Sequence, residues 1–148
     1  MMKFAILLKF CLISILGLFN QPVSIMGSDK IKIIIPNVKT DKGDLLIAIF
    51  NKATGFPEDA SVAFQTAKLK AQKGKQVFVL DQLAHGRYAI AIFHDENGDG
   101  KMNKNMLGIP KEGYGVSNNV KNLMSAPAFK DAVFSHTKET ELSIQLNY

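Results

Sequence analysis

This chain of 148 residues has one cysteine, one arginine and, beyond its first residues, no long apolar stripe at helical spacing. Each shortage excludes something. Cys11 lies in the apolar leader, so nothing from Ser28 onward can form a disulfide within the chain. Stability must come from a buried core, which excludes a tiny cross-linked scaffold. A lipid-anchor site needs a small residue before its cysteine, and Phe10 is large, so a lipoprotein is excluded too. Arg87 is the lone arginine, whereas nucleic-acid readers lean on arginine for bidentate contacts, so nucleic acid is not an expected partner. His85, His94 and His136 show neither H-x-x-x-H nor H-x-H spacing, which leaves zinc unsupported. Ser117 has no G-x-S-x-G setting and no glycine loop would cradle phosphate, so neither a serine hydrolase nor a nucleotide site is indicated.

What is present begins with a leader. Met1-Met2-Lys3 is a short basic start, and Phe4 to Phe19 is apolar apart from Lys9 and Ser14. Small residues follow in "NQPVSIMGSDK". This is the pattern of a secretory signal peptide, 1–27, cut after Gly27. The uninterrupted part, Phe10 to Phe19, is too short to cross a bilayer core of about 30 Å, so no stable membrane insertion is expected after cleavage. Residues 28–148 then form a single domain in the periplasm or outside the cell. Without Lys3 and Lys9, sixteen basic residues face thirteen acidic ones. That mild excess suits solubility, with weak attraction to anionic surface polymers.

The rest reads as short strands. "KIKIIIPNV" is isoleucine-rich and broken at Pro36. "DLLIAIFN" is a continuous apolar run, the sign of a strand buried on both faces. "QTAKLKAQ" and "QVFVL" flank the turn "KGK" and read as a hairpin with one wet face. "DQLAHGRYAIAIFHD" is a tight corner feeding a central strand, and "AVFSH" and "ELSIQLN" add two more. The expectation is an all-β, seven-stranded immunoglobulin- or transthyretin-like β-sandwich with one long ordered loop. From Glu96 to about Pro127 no strand is evident. A loop that long is a working surface or hides an element. Met106, Leu107, Ile109, Val116, Val120, Leu123 and Met124 would pin it to the sandwich.

That loop opens with "HDENGDGKMN". Asp95, Asn97 and Asp99 take places one, three and five of a D-x-N-x-D-G pattern, and Gly100 takes the sixth. Lys101 would offer its carbonyl and Asn103 its side chain, directly or through water. Calcium takes six to eight oxygens, which suits such a loop. The twelfth place holds Met106 instead of glutamate, and a strand enters instead of a helix, so this is no EF-hand. Glu112 is the obvious source of the missing carboxylate, while Glu96 should point away. Such a site would be weak, about 10⁻⁴ to 10⁻³ M. The same residues equally suit a strand-end turn for backbone reasons alone. His94 beside Asp95 is either a general base or a core histidine. Tyr114, between two glycines, either stacks on a ligand or plugs the core. Ser117, Asn118 and Asn119 offer polar groups to a ligand or cap a turn.

Over "YAIAIFHDENGDGKMNKNMLGIPKEGYGVSNN" the chain resembles family 2141 of the bacterial domains of unknown function. The resembling residues are His94, Asp95, Asn97, Asp99, Gly100 and Asn103, then Leu107, Gly108, Pro110, Glu112 to Gly115 and Ser117 to Asn119. Asn103 stands where many members carry aspartate, which lowers the charge of any cation site. The resemblance implies an exported β-sandwich and no established activity. "LAHGRYAI" also looks like the corner of transthyretin-like and carboxypeptidase regulatory domains. The leading expectation is a binding module, with calcium as its candidate structural ion, that meets an unknown ligand or envelope protein through residues 94–119. One alternative is an envelope enzyme acting on carbohydrate or cell-wall substrate, with His94 and Glu112 as acid and base. Another is a structural accessory domain of the envelope.

Overall fold

Side chains of a strand alternate between two faces, and burial in this chain follows that rule. The computed structural model describes residues 27–122 and 125–148. Residues 1–26 of the expected signal peptide, with Cys11, and Leu123 and Met124 lie outside the described residues. β1 (Ser28–Val38) buries Ile31, Ile33 and Ile35 and turns Lys30 and Lys32 the other way. It pairs antiparallel with β4 (Gly74–Ala84) and parallel with β8 (Thr140–Ser143), in the order β4-β1-β8. The β1–β4 register shifts between Ile35 and Val38. Pro36 falls in that irregularity, where a missing N–H costs no ladder bond.

The second sheet has the order β3-β2-β5-β6, from β3 (Gln65–Lys70), β2 (Asp44–Phe50), β5 (Gly86–Asp95) and β6 (Gly113–Val116). β7 (Phe134–His136) pairs with the first residues of β5. The core lies between the sheets, where Ile31, Ile33 and Ile35 meet Leu45, Ile47, Ile49, Ile90, Ile92 and Ile144. β-branched side chains pack well on pleated surfaces, so this composition favours two facing sheets. At the β4–β5 corner the buried Tyr88 hydroxyl donates to the Ala84 carbonyl at 2.9 Å.

The all-β class and two-layer arrangement agree with the sequence reading, and three details differ. Eight strands occur among the described residues instead of seven. The extra one, β6, is "GYGV" inside the supposed long loop. Half of it is glycine, so it carries no apolar alternation. The glycines are needed for close approach, because a Cβ at Gly113 or Gly115 would strike the Tyr148 ring or the Gln145 carbonyl. Second, β3 and β4 do not form a hairpin. β3 pairs with β2 and β4 with β1, so the intervening turn carries the chain from one sheet to the other. Alternation shows that a strand has a wet face and says nothing about its partner. Third, Met106, Leu107 and Ile109 do not pin the loop, for all three are exposed. Val116 and Val120 do pack, in a smaller cluster with Ala89 and Ala132.

Candidate functional site

β2 and β5 are apolar on both faces, yet only one face meets the other sheet. Register sets three rows of side chains on the outer face. Lys68, Leu46, Phe93 and Tyr114 form one row, and Thr66, Ala48, Ala91 and Val116 the next. Lys70, Asp44 and Asp95 complete the loop end. Leu46, Ala48, Ala91, Phe93 and Tyr114 floor a cleft of about 1270 Å³, walled by segments 57–60 and 100–110 and by Asn122, Ser125, Ala126 and Pro127. Beyond the Ala48 row an aromatic plug covers the same face. Phe56 meets Phe50 edge-on at 5.3 Å and Phe129, the first residue of α1 (Phe129–Ala132), at 5.8 Å.

The loop end is charged. Asp44 is buried and lies opposite Asp95. Lys70 and Lys68 bring their ammonium groups to 2.8 and 2.9 Å from the Asp44 carboxylate. These contacts, Lys70 first, hold the Asp44 carboxyl below the usual carboxylate range and outweigh the opposing effect of burial.

The oxygen-rich loop is knit to itself. Asp95, 1% exposed, accepts from the Gly98 and Gly100 amides at 2.8 and 2.9 Å. Gly100 makes the left-handed bend with φ of 72°. Asn97 accepts from the Asp99 amide, and the Asn97 and Asn103 side-chain amides both donate to Asp99 Oδ2, at 3.1 and 2.9 Å. Asn103 Nδ2 also donates to the Lys101 carbonyl. Hydrogen bonds from Asn103, then from the Lys101 amide, lower the Asp99 pKa. Glu112, 6% exposed, accepts from the Glu96 amide at 3.1 Å and the Asn103 amide at 3.0 Å. Glu96 turns away to accept from Thr40 Oγ1. The structure thus joins Asn97, Asp99, Asn103 and the Lys101 carbonyl directly. It brings in Glu112 through the Asn103 backbone and leaves Asp95 bonded to separate amides. Among the described residues no three His, Cys, Asp or Glu side chains converge.

Of the five ligand-face residues read from sequence, Tyr114 alone lines the cleft. His94 is fully buried. Its Nε2–H donates to the Lys42 carbonyl at 2.9 Å, and its Nδ1 accepts from the Tyr148 hydroxyl at 2.8 Å. Tyr148 in turn accepts from the Lys39 amide. Ser117 Oγ accepts from the Ile90 amide and donates to the Ala132 carbonyl. Asn118 donates to the carbonyls of Asp131 and Val133, and Asn119 bonds Ser143 and Gln145. These three residues fasten β6 to α1 and the C-terminal segment. Neither His94 nor Glu112 lines the cleft, and every polar atom of both side chains is engaged. Sequence reasoning missed the floor, Leu46, Ala48, Ala91 and Phe93. Its signal was the pair of apolar runs with too few elements to cover them.

No curated protein and no solved structure matches the chain. A family model described as "Uncharacterized protein conserved in bacteria" does match, over residues 33–145, and the chain belongs to that bacterial family, DUF2141.

Proposed function

We propose that this chain is an exported binding module that takes an anionic amphiphile on the outer face of its five-stranded sheet. The apolar cleft carries this reading. Exposed faces of antiparallel sheets are ordinarily polar, whereas this one presents Leu46, Ala48, Ala91 and Phe93 in an open groove. At about 1270 Å³ it exceeds the roughly 300–1,000 Å³ of ordinary small-molecule sites, which favours an elongated ligand. Lys68, Lys101 and Lys104 line it; Lys68 is shared with Asp44 and Lys104 with Glu58, so Lys101 is the cation that favours a negative head group. The leader-like residues 1–27 support export. Anilinonaphthalene sulfonate is the probe. It should bind saturably, and Ala48→Trp, which fills the floor at a buried position, should abolish binding at a cost of about 1–3 kcal/mol in stability. Absence of saturable binding by the parent protein refutes the reading.

A second proposal concerns calcium at Asp95, Asn97, Asp99, the Lys101 carbonyl, Asn103 and Glu112. Its support is the gathering of Asn97, Asn103 and the Lys101 carbonyl around Asp99. Turning the Asn103 amide over would present an oxygen in place of its NH₂. Millimolar calcium should raise the melting temperature, and Asp95→Ala with Asp99→Ala should remove the gain. An unchanged melting curve for the parent sinks it.

A further inference from the structure

The segment Lys104 to Pro110 is a built finger with a greasy tip. Lys104 and Pro110 form an antiparallel bridge, and below it the Lys111 amide donates to the Asn103 carbonyl at 2.8 Å. Asn105 organises the tip. Its amide donates to the Ile109 carbonyl, its carbonyl accepts from Gly108, and its Oδ1 accepts from both the Leu107 and Ile109 amides. Glu112 secures the base through the Asn103 amide. The tip nonetheless shows its apolar side chains to solvent. Met106 is 104% exposed, Leu107 83% and Ile109 55%.

From these observations we infer that the finger docks the module on an anionic lipid surface. Two physical requirements are met. Backbone groups entering a bilayer need internal hydrogen bonds, and Asn105 supplies acceptors for two tip amides. Anionic head groups need nearby cations, and residues 100–111 carry Lys101, Lys104 and Lys111 with no carboxylate. Lys104 is shared with Glu58 at 2.8 Å, so Lys101 and Lys111 carry most of this attraction. A stable protein partner takes about 800 Å² from each side, far more than three side chains offer, whereas a bilayer interface accepts a small wedge. The contact is peripheral: no helix among the described residues is long and apolar enough to cross a membrane. Leu107 and Ile109 also line the cleft, so docking would bring its mouth to the lipid. The inference itself rests on the finger and stands without the ligand reading.

Vesicle co-sedimentation tests it, using protein that starts at Ser28 and so keeps both sheets. The protein should sediment with phosphatidylcholine vesicles that contain phosphatidylglycerol and much less with phosphatidylcholine alone. Met106→Ser, Leu107→Ser and Ile109→Ser together should weaken binding about tenfold or more at an unchanged melting temperature. Lys101→Glu with Lys111→Glu should remove the preference for phosphatidylglycerol. Ala48→Trp, which blocks the cleft, should leave vesicle binding intact. The inference is overturned if the parent stays in the supernatant or the triple variant sediments equally well. It is also overturned if the parent self-associates through the tip, seen as oligomers that the triple variant disperses, without binding vesicles.

Discussion

Replacing Glu112 by glutamine keeps the volume and removes one hydrogen-bond acceptor. Glu112 sits 6% exposed between two backbone amides, those of Glu96 and Asn103, which come from opposite ends of the oxygen-rich loop. Glutamine can satisfy one amide with its oxygen, and its NH₂ then faces the other. A hydrogen bond to a charged acceptor contributes about 1.5–3 kcal/mol, and a stranded buried donor costs about 1–3 kcal/mol. Glu112→Gln should therefore destabilise by about 2 kcal/mol and Glu112→Ala, which strands both amides, by about 3–4 kcal/mol. For a domain of this size each kcal/mol lowers the melting temperature by about 3–6 °C. Thermal melts give the first number. Amide exchange at Glu96 and Asn103 gives the second: both should lose protection in Glu112→Ala while the β1 isoleucine amides keep theirs. A fall under about 0.5 kcal/mol with both amides still protected would refute the idea that one carboxylate holds the loop shut.

Ser117→Ala should cost about 2 kcal/mol in denaturant melts, because it strands the buried Ile90 amide and the Ala132 carbonyl, and far more than any ligand-contact role would require. Asp44 makes the protein acid-sensitive in a defined direction. Its pKa is depressed in the fold, so its stabilisation is present above the unfolded value near 3.8 and is lost as pH falls through the folded value. Lys68→Met with Lys70→Met should move the midpoint of acid unfolding to higher pH, followed by circular dichroism, and an unmoved midpoint would show that the two ammonium groups do not set it.

The sheets were legible and the site was not. Alternation in Lys30 to Ile35 and Gln65 to Lys70 marks one wet face and one dry one, so those strands could be read without knowing their partners. In Asp44 to Phe50 and Tyr88 to His94 both faces are apolar, which erases the period of two. The inward His94 and the outward Phe93 then look alike, and a core histidine reads as a ligand candidate. Glycine hid β6 for a different reason: its positions answer to the Tyr148 ring and the Gln145 carbonyl, contacts distant in sequence. Ser117, Asn118 and Asn119 are polar because the fold needs their hydrogen bonds, and composition cannot separate that need from a ligand's. Asp95 to Asn103 was recognisable as an ordered turn because Asp, Asn and Gly at alternate places satisfy their own backbone.

The parallel pairing of β1 with β8 places the earliest strand of the domain against the latest, with Lys32 and Glu141 paired at 2.9 Å across 109 positions of sequence. β1 can pair with β4 while β8 is still undocked, but one flank of β1 then stays open. Such distant pairing slows folding, because the cost of closing so long a stretch of chain comes before the contacts that reward it. Docking of β8 thus completes the three-stranded layer, and the open edge of β1 closes only with that step.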